Sequence, residues 1–415
     1  MNEVSEVNQE LSNNNNVPKG KIPRFTAMAL SYGMLVSSIG NNFLITILPP
    51  LGRELGFIEW QIGVILAVGG LFLLLTGPIW GRISEDKGRK KVMLFGAVGY
   101  VITSGIFAVI IDLRIASVLG VFTCFILLTI TRSIYTITSG AIYPATIAMA
   151  ADLTSRKNRA GGLALITASW GFGSVIGPAI AAIFTIISPT APFYAVTIMG
   201  LLAVYLYYAI EEPIKHKKTS NSGFRNILTK EILTILTGFT ILILGNISMI
   251  VILGFYLQDK FGLDTVTTAR NVGIVLSVSA IAQICFQVII LPRLKWSPRK
   301  MLNVGLPIAI IGAAMVLNAN NYSIIILAMI LFGLGSAVAW PSYMTAASLA
   351  AGTENQGNVA GLTSAFQAFS FMSGPILGTI AYQLNPTLPF YICGFCILFS
   401  ILMANIFYMP DISDE

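Results

Sequence analysis

The chain has 415 residues, of which 55% are apolar and only 10% carry a charge. Soluble domains carry charge on roughly 25% of their residues, so this composition excludes a water-soluble fold and implies an integral membrane protein. The net charge of +7 does not imply a nucleic-acid partner, because the basic residues sort by side of the membrane instead of forming one patch. Residues 1–24 are polar and Asn-rich and read as a disordered cytoplasmic tail. They contain no basic-then-apolar segment with a small-residue cleavage site, so the first helix is expected to act as an uncleaved insertion signal. Apolar runs then recur, each long enough to cross a hydrocarbon core of about 30 Å as a helix. The first six are expected near 25–48, 60–83, 92–111, 116–150, 160–187 and 191–210. The second six are expected near 232–257, 267–291, 300–318, 322–350, 358–383 and 388–408. Residues 211–230 form the only long polar interior stretch, a linker between an N-terminal bundle over 25–210 and a C-terminal bundle over 231–410, with a tail at 411–415. Alternating barrel segments of about ten residues are absent. The expected fold class is an all-α membrane protein of twelve helices in two six-helix bundles.

The second bundle repeats the first at a fixed spacing of 197 residues. SPTAPFY at Ser188 to Tyr194 returns as NPTLPFY at Asn385 to Tyr391, Gly177-Pro178 as Gly374-Pro375, and Pro144 as Pro341. Local propensity does not place sparse prolines in one register across two apolar halves. A duplicated unit in parallel orientation is the build of a two-bundle carrier with its site between the halves. Twenty Lys and Arg fall in the tail, the linker and the loops on their side of the membrane, against four in the opposite loops. By the positive-inside rule both termini and the linker are expected in the cytoplasm, across a cell (inner) membrane. Arg132 is the one basic residue left over.

After the second span comes Gly81-Arg82-Ile83-Ser84-Glu85-Asp86-Lys87-Gly88-Arg89-Lys90. This run resembles the signature loop of the major facilitator superfamily, G-x-x-x-D-[RK]-x-G-[RK]-[RK]. Glu85 stands at the acidic place and Asp86 at the basic place that follows, which is a departure. The resemblance implies a loop that locks the outward-facing state, with its acid at the N-terminus of helix eleven near Gly357, where negative charge meets the positive helix end. Whether Glu85 or Asp86 supplies that acid is left open, and by the same resemblance Asp152 pairs with Arg89. Helix four carries Arg132, Pro144 and Asp152, similar to the pattern of the drug:proton antiporter branch, with Thr136 where a glycine is usual. Helix five carries GFGSVIGPAIAA from Gly171 to Ala182, similar to the antiporter motif G-x-x-x-G-P-x-x-G-G. Gly177 and Pro178 are the gating positions of that motif, and Ala181 and Ala182 replace its last glycines.

An Arg at a helix centre costs about 2.5–3.5 kcal/mol on insertion scales and so faces a cavity or a partner. The eighteen carboxylates all fall in tails, loops or helix ends, which leaves Arg132 without a counter-ion deep in the membrane. Three readings stay open for it: backbone carbonyls and amides such as Asn41 or Asn42 hold it, an anionic group on the substrate meets it, or it links to protons through its neighbours. Polar and aromatic residues in apolar spans mark the expected cavity. Tyr32, Asn41 and Asn42 lie on helix one, Arg132 and Tyr135 on helix four, and Trp170 on helix five. Asn246 lies on helix seven, Gln283 and Gln287 on helix eight, Trp340 and Tyr343 on helix ten, and Gln367, the repeat mate of Trp170, on helix eleven.

No cofactor motif, metal cluster or phosphate-cradling loop occurs, and Cys393 and Cys396 sit in an apolar helix where packing is their expected role. His216, the single histidine, lies among lysines in the linker. Enzymatic and primary-pump readings therefore fall away. The resemblance implies a monomeric secondary carrier in the lipid bilayer that exports a small organic compound, drug-like or a secreted metabolite, with protons as the coupling ion. The unpaired Arg132 tilts the substrate towards an anionic, siderophore-like acid. The alternative is an importer or uniporter of an anionic nutrient, which the missing membrane carboxylates permit. Titratable candidates for proton coupling are Glu54, Asp259, Asp152 and the pair Glu85-Asp86.

Overall fold

A backbone in hydrocarbon has no water to bond to, so each span must close its hydrogen bonds within itself as a helix. The computed structural model describes residues 22–154, 159–212, 229–294, 296–352 and 356–406. Residues 1–21, most of the expected linker with His216, and the tail at 411–415 lie outside the described residues. In the first bundle, helix one is Arg24–Glu54, two Glu59–Lys87, three Arg89–Ile115, four Val121–Ser139 with Ile142–Asp152, five Arg159–Phe184 and six Ala191–Ala209. In the second, helix seven is Lys230–Phe261, eight runs from Thr265 to Leu294, nine is Pro298–Asn318, ten Tyr322–Ser336 with Ala339–Ala351, eleven Gln356–Leu384 and twelve Leu388–Ile406. Eleven of these are long and apolar enough to cross a membrane. Helix eleven has the length, at 29 residues, but carries more polar side chains, Gln367 among them. Helix four starts later than its apolar run, because Ser117 takes a left-handed conformation at φ 60° and turns the chain out of helix three.

The packing follows the sequence repeat. Helix one lies against five as seven lies against eleven, and three against four and six as nine lies against ten and twelve. Across the molecule, helix two packs on eleven and helix eight on five, so each bundle lends one helix to the other's face.

Helices four and ten are both broken, at Gly140-Ala141 and Ala337-Val338, again 197 residues apart. Proline supplies the cause, since it lacks an N–H and its ring crowds the carbonyl four residues back. Pro144 acts on Gly140 and Pro341 on Ala337. Helices two and eight each reach over to cap the break beside them. Trp80 Nε1 donates to the Ile137 carbonyl at 2.7 Å, whose helical partner Ala141 N bonds Thr138 instead. Gln287 Nε2 donates to the Ala337 carbonyl at 2.8 Å, the one Pro341 leaves without a donor.

Small residues set how close the bundles come, because in lipid helix association rests on packing contact. Gly63, Gly70 and Gly77 recur every seven residues on helix two and so share one face. A Cβ on Gly63 would meet Thr379 Oγ1 at 2.1 Å and one on Gly70 the Met372 nitrogen at 2.2 Å, whereas one on Gly77 meets nothing within 4 Å. Helices five and eight behave alike: a Cβ on Gly273 would stand 2.5 Å from the Pro178 carbonyl, while one on Gly161 meets nothing within 4 Å. The bundles therefore touch over the half of the molecule that holds Arg53 and splay apart towards the half that holds Arg89, forming a cleft open at one face.

A graded cost for filling these positions is the expected outcome. Gly70→Val should lower stability by about 1–3 kcal/mol, the usual range for overpacking, and Gly77→Val by much less, as read from thermal unfolding of the purified protein.

Candidate functional site

Arg132 sits where helices one, two and four meet, and it is only 8% exposed. Its Nη2 donates to Asn41 Oδ1 at 3.2 Å, and its guanidinium lies over the Tyr135 ring at 4.8 Å from the centroid. Gly69 makes room for it, since a Cβ there would stand 2.9 Å from Nη2. Asn41 is oriented by its own helix, donating from Nδ2 to the Ser37 carbonyl at 3.0 Å, which turns its oxygen towards the arginine. Arg132 Nε and the Tyr135 hydroxyl are buried without a hydrogen-bond partner. Among the described residues no carboxylate forms an ion pair with Arg132. A desolvated guanidinium whose Nε–H meets no acceptor is a group that an anionic acceptor would satisfy.

The other cavity candidates divide by where their polar atoms go. Trp170 meets the edge of Tyr143 at 5.4 Å between ring centroids, and Trp340 meets Phe239 at 5.1 Å. Tyr143 and Trp340 are repeat mates and are 45% and 39% exposed, so both broken helices present an aromatic ring one residue before the proline. Tyr143 was not among the sequence candidates, although its place at the 197-residue offset from Trp340 could have revealed it. Gln283 and Gln367 are half-buried, and no hydrogen bond occupies their amides among the described residues.

Five candidates are engaged inside one bundle in this conformation. Tyr32 donates to the Met199 carbonyl at 3.2 Å, and Asn42 to the Ser38 carbonyl at 2.8 Å. Asn246 is 9% exposed and accepts a long contact of 3.8 Å from Cys393 Sγ. Tyr343 is buried beside Ser400, its hydroxyl 2.5 Å from Oγ. Gln287 is the cap on the broken helix described above.

At the splayed face, the signature loop forms a cluster around Gly88. That residue has φ +104°, a left-handed value that favours glycine, and a Cβ there would meet the Glu212 carboxylate at 2.9 Å. Glu212 caps helix three, its two oxygens accepting the backbone N–H groups of Arg89 at 2.5 Å and Lys90 at 3.0 Å. A carboxylate at a helix N-terminus satisfies free N–H groups and meets the positive end of the dipole. Sequence reasoning assigned Glu212 to the linker and missed this contact. Arg89 Nε donates to Asp152 Oδ2 at 3.1 Å and its Nη1 to Ser84 Oγ at 2.7 Å, while Glu85 Oε1 is 4.0 Å from Arg89 Nη2. Residues 353–355, before helix eleven, and the surroundings of Gly357 lie outside the described residues, and with them the expected contact of the loop acid. Gly81 has no neighbour within 4 Å of a Cβ position. Gly177 packs on helix one, where a Cβ would meet the Ile39 carbonyl at 3.0 Å, while the neighbouring Pro178 carbonyl faces Gly273 of helix eight.

The family model described as Major Facilitator Superfamily matches residues 30–290 and 264–414. The chain belongs to that family. It is a multi-pass membrane transporter and not an enzyme. Multidrug resistance protein 1 of Bacillus subtilis (strain 168) is 24% identical over 374 residues, covering 88% of this chain and 92% of that protein. Quinolone resistance protein NorA of Staphylococcus aureus (strain COL) is 22% identical over 379 residues, covering 87% of this chain and 91% of that protein. Among solved structures, the human organic anion transporter MFSD10 (TETRAN) superposes with a TM-score of 0.67 at 16% identity, covering 92% of this chain and 99% of that one. A bacterial homolog of the human lysosomal transporter Spinster, inward-facing and unoccupied, gives a TM-score of 0.68 at 13% identity over 93% of this chain and 95% of that one. These two likenesses bear on the fold alone.

Within this transporter fold the two glutamines of helix eight are expected to separate by role. Gln287→Leu strands the Ala337 carbonyl and should cost about 1–3 kcal/mol. Gln283→Leu should change stability by only about 0.5 kcal/mol, with both read from thermal melts of the purified protein.

Proposed function

We propose that the protein exports a small organic compound carrying an anionic group, by alternating access and in exchange for protons. The observation that carries this reading is Arg132, a buried cation with an idle Nε and no ion-pair partner among the described residues. An anion entering the cleft would supply the missing counter-ion and remove the cost of an uncompensated buried charge. The open amides of Gln283 and Gln367 and the rings of Tyr143, Trp170 and Trp340 would contact the remainder of the molecule. Differential binding to the two conformations would then rock the bundles as rigid bodies.

Export is favoured by the relatives, two of which are named for drug resistance. The excess of Lys and Arg in the tail, the linker and their side's loops supports placing that side in the cytoplasm of a cell membrane. On that assignment the cleft opens inward, as substrate loading for export requires. A monomer suffices, since both bundles of the fold are present in one chain.

Purified protein in proteoliposomes tests this. Arg132→Ala should reduce transport of organic anions roughly 10- to 100-fold, the value of a charge-assisted hydrogen bond of about 1.5–3 kcal/mol. Arg132→Lys should retain part of the activity, and neutral compounds of similar size should move at wild-type rates. Equal loss for every compound would assign Arg132 to structure. A protonophore should abolish concentrative export, and uphill transport that survives it would refute exchange with protons. Uptake in place of extrusion in intact cells would favour the importer reading.

A further inference from the structure

The face opposite the signature loop carries a second charged cluster, built on Arg53 at the end of helix one. Arg53 donates to Glu59 of helix two from Nε at 3.2 Å and from Nη2 at 2.7 Å. The same guanidinium reaches across to the other bundle, donating to Asp259 of helix seven from Nη1 at 2.6 Å and Nη2 at 3.0 Å. Its carbon lies 4.8 Å from the centroid of the Phe255 ring. Tyr382 of helix eleven donates to Asp259 Oδ2 at 2.6 Å, and Gln383 Nε2 donates to Glu59 Oε2 at 3.2 Å, again between bundles. Of the ion pairs among the described residues, Arg53–Asp259 alone joins the two bundles. Beneath it, Gly254 lets helix seven close on Pro49 and Pro50, a Cβ there meeting their rings at 3.1 and 3.0 Å.

We infer that Arg53, Glu59, Asp259, Tyr382 and Gln383 form a latch that holds this face shut while the cleft is open at the other. Opening this face must part helix one from seven and two from eleven, and so must break Arg53–Asp259 and Glu59–Gln383. The bonds that survive lie within bundles: Arg53 keeps Glu59, and Asp259 keeps Tyr382. Neither charge is stranded when the bundles separate, so the latch releases into two satisfied halves and re-forms on return. An unpaired buried charge would make opening prohibitive, whereas this division leaves a modest bias between two conformations. The bidentate fork and the aromatic seat of Arg53 require arginine and not lysine.

The test is conformational and needs no substrate, so it succeeds or fails independently of the export reading. Nitroxides are placed at Val118 and Leu384, which are 68% and 77% exposed at this face on opposite bundles, in the full chain with the exposed Cys285 replaced by Ser. Distances are measured by pulsed electron resonance in lipid nanodiscs. The wild-type chain should give a dominant short distance. Arg53→Gln and Asp259→Asn should each raise the ratio of long to short distances by about fivefold, the upper range for a partly exposed pair. The double variant should do no more than either single one, and Arg53→Lys should fall between. If a variant fails to fold, Gln383→Leu probes the same latch through a neutral group that crosses between bundles and should raise the ratio less, whereas Tyr382→Phe, which removes a bond kept in both conformations, should not raise it. Unchanged distances in both charge variants, or effects that add in the double variant, would overturn the latch.

Discussion

Helix two reaches helix eleven at backbone distance because Gly70 has no side chain, a Cβ there standing 2.2 Å from the Met372 nitrogen. Lipid tails are as apolar as the helices, so contact of this kind replaces the hydrophobic effect in joining helices. The adjacent residue, Gly69, turns to the interior of the first bundle and accommodates the Arg132 guanidinium. Two consecutive glycines thus connect the crossing between bundles with the buried cation. Arg132 therefore lies one residue away from a close backbone crossing of the two bundles. The bundles meet on one side of that crossing, where the Arg53 cluster lies, and diverge on the other, where Gly77 and Gly81 face open space.

The frame is symmetric where helices pack and bend. The breaks of helices four and ten fall 197 residues apart because Pro144 and Pro341 do. Trp80 and Gln287 cap those breaks from corresponding helices with different donors. Chemistry departs from the symmetry at Arg132, whose mate Met329 is an apolar residue at 1% exposure. An apolar mate leaves the buried charge to one half alone, while the other half fills the same position by packing.

Much of the fold was legible because apolar length, proline register and loop charge are properties of a single chain segment. Twelve spans and two bundles follow from apolar length and proline register, the family resemblance was carried by the signature loop from Gly81 to Lys90, and Arg89 and Asp152 do stand together. Contacts between segments were less legible. Helices in lipid are apolar on every side, so periodicity does not tell which polar residue faces a cleft and which a neighbour. Tyr343 and Asn246 read as cleft residues and lie between helices of one bundle. Gln287 read as a ligand contact, and its amide is drawn to a carbonyl that a proline in another helix leaves free. In the sequence Arg53 is one of the four basic residues of the opposite loops and Glu212 part of the linker, and neither shows its partner, which lies 206 and 123 residues away.

On the proposed function, an anion completes the charge of Arg132 at the glycine crossing. An experimental density map of the protein with a transported organic anion bound tests it most directly. Density for the anionic group is expected within hydrogen-bond distance of the Arg132 guanidinium, with Asn41 and Tyr135 beside it. Density confined to other walls of the cleft, with Arg132 still held by Asn41 alone, would contradict it.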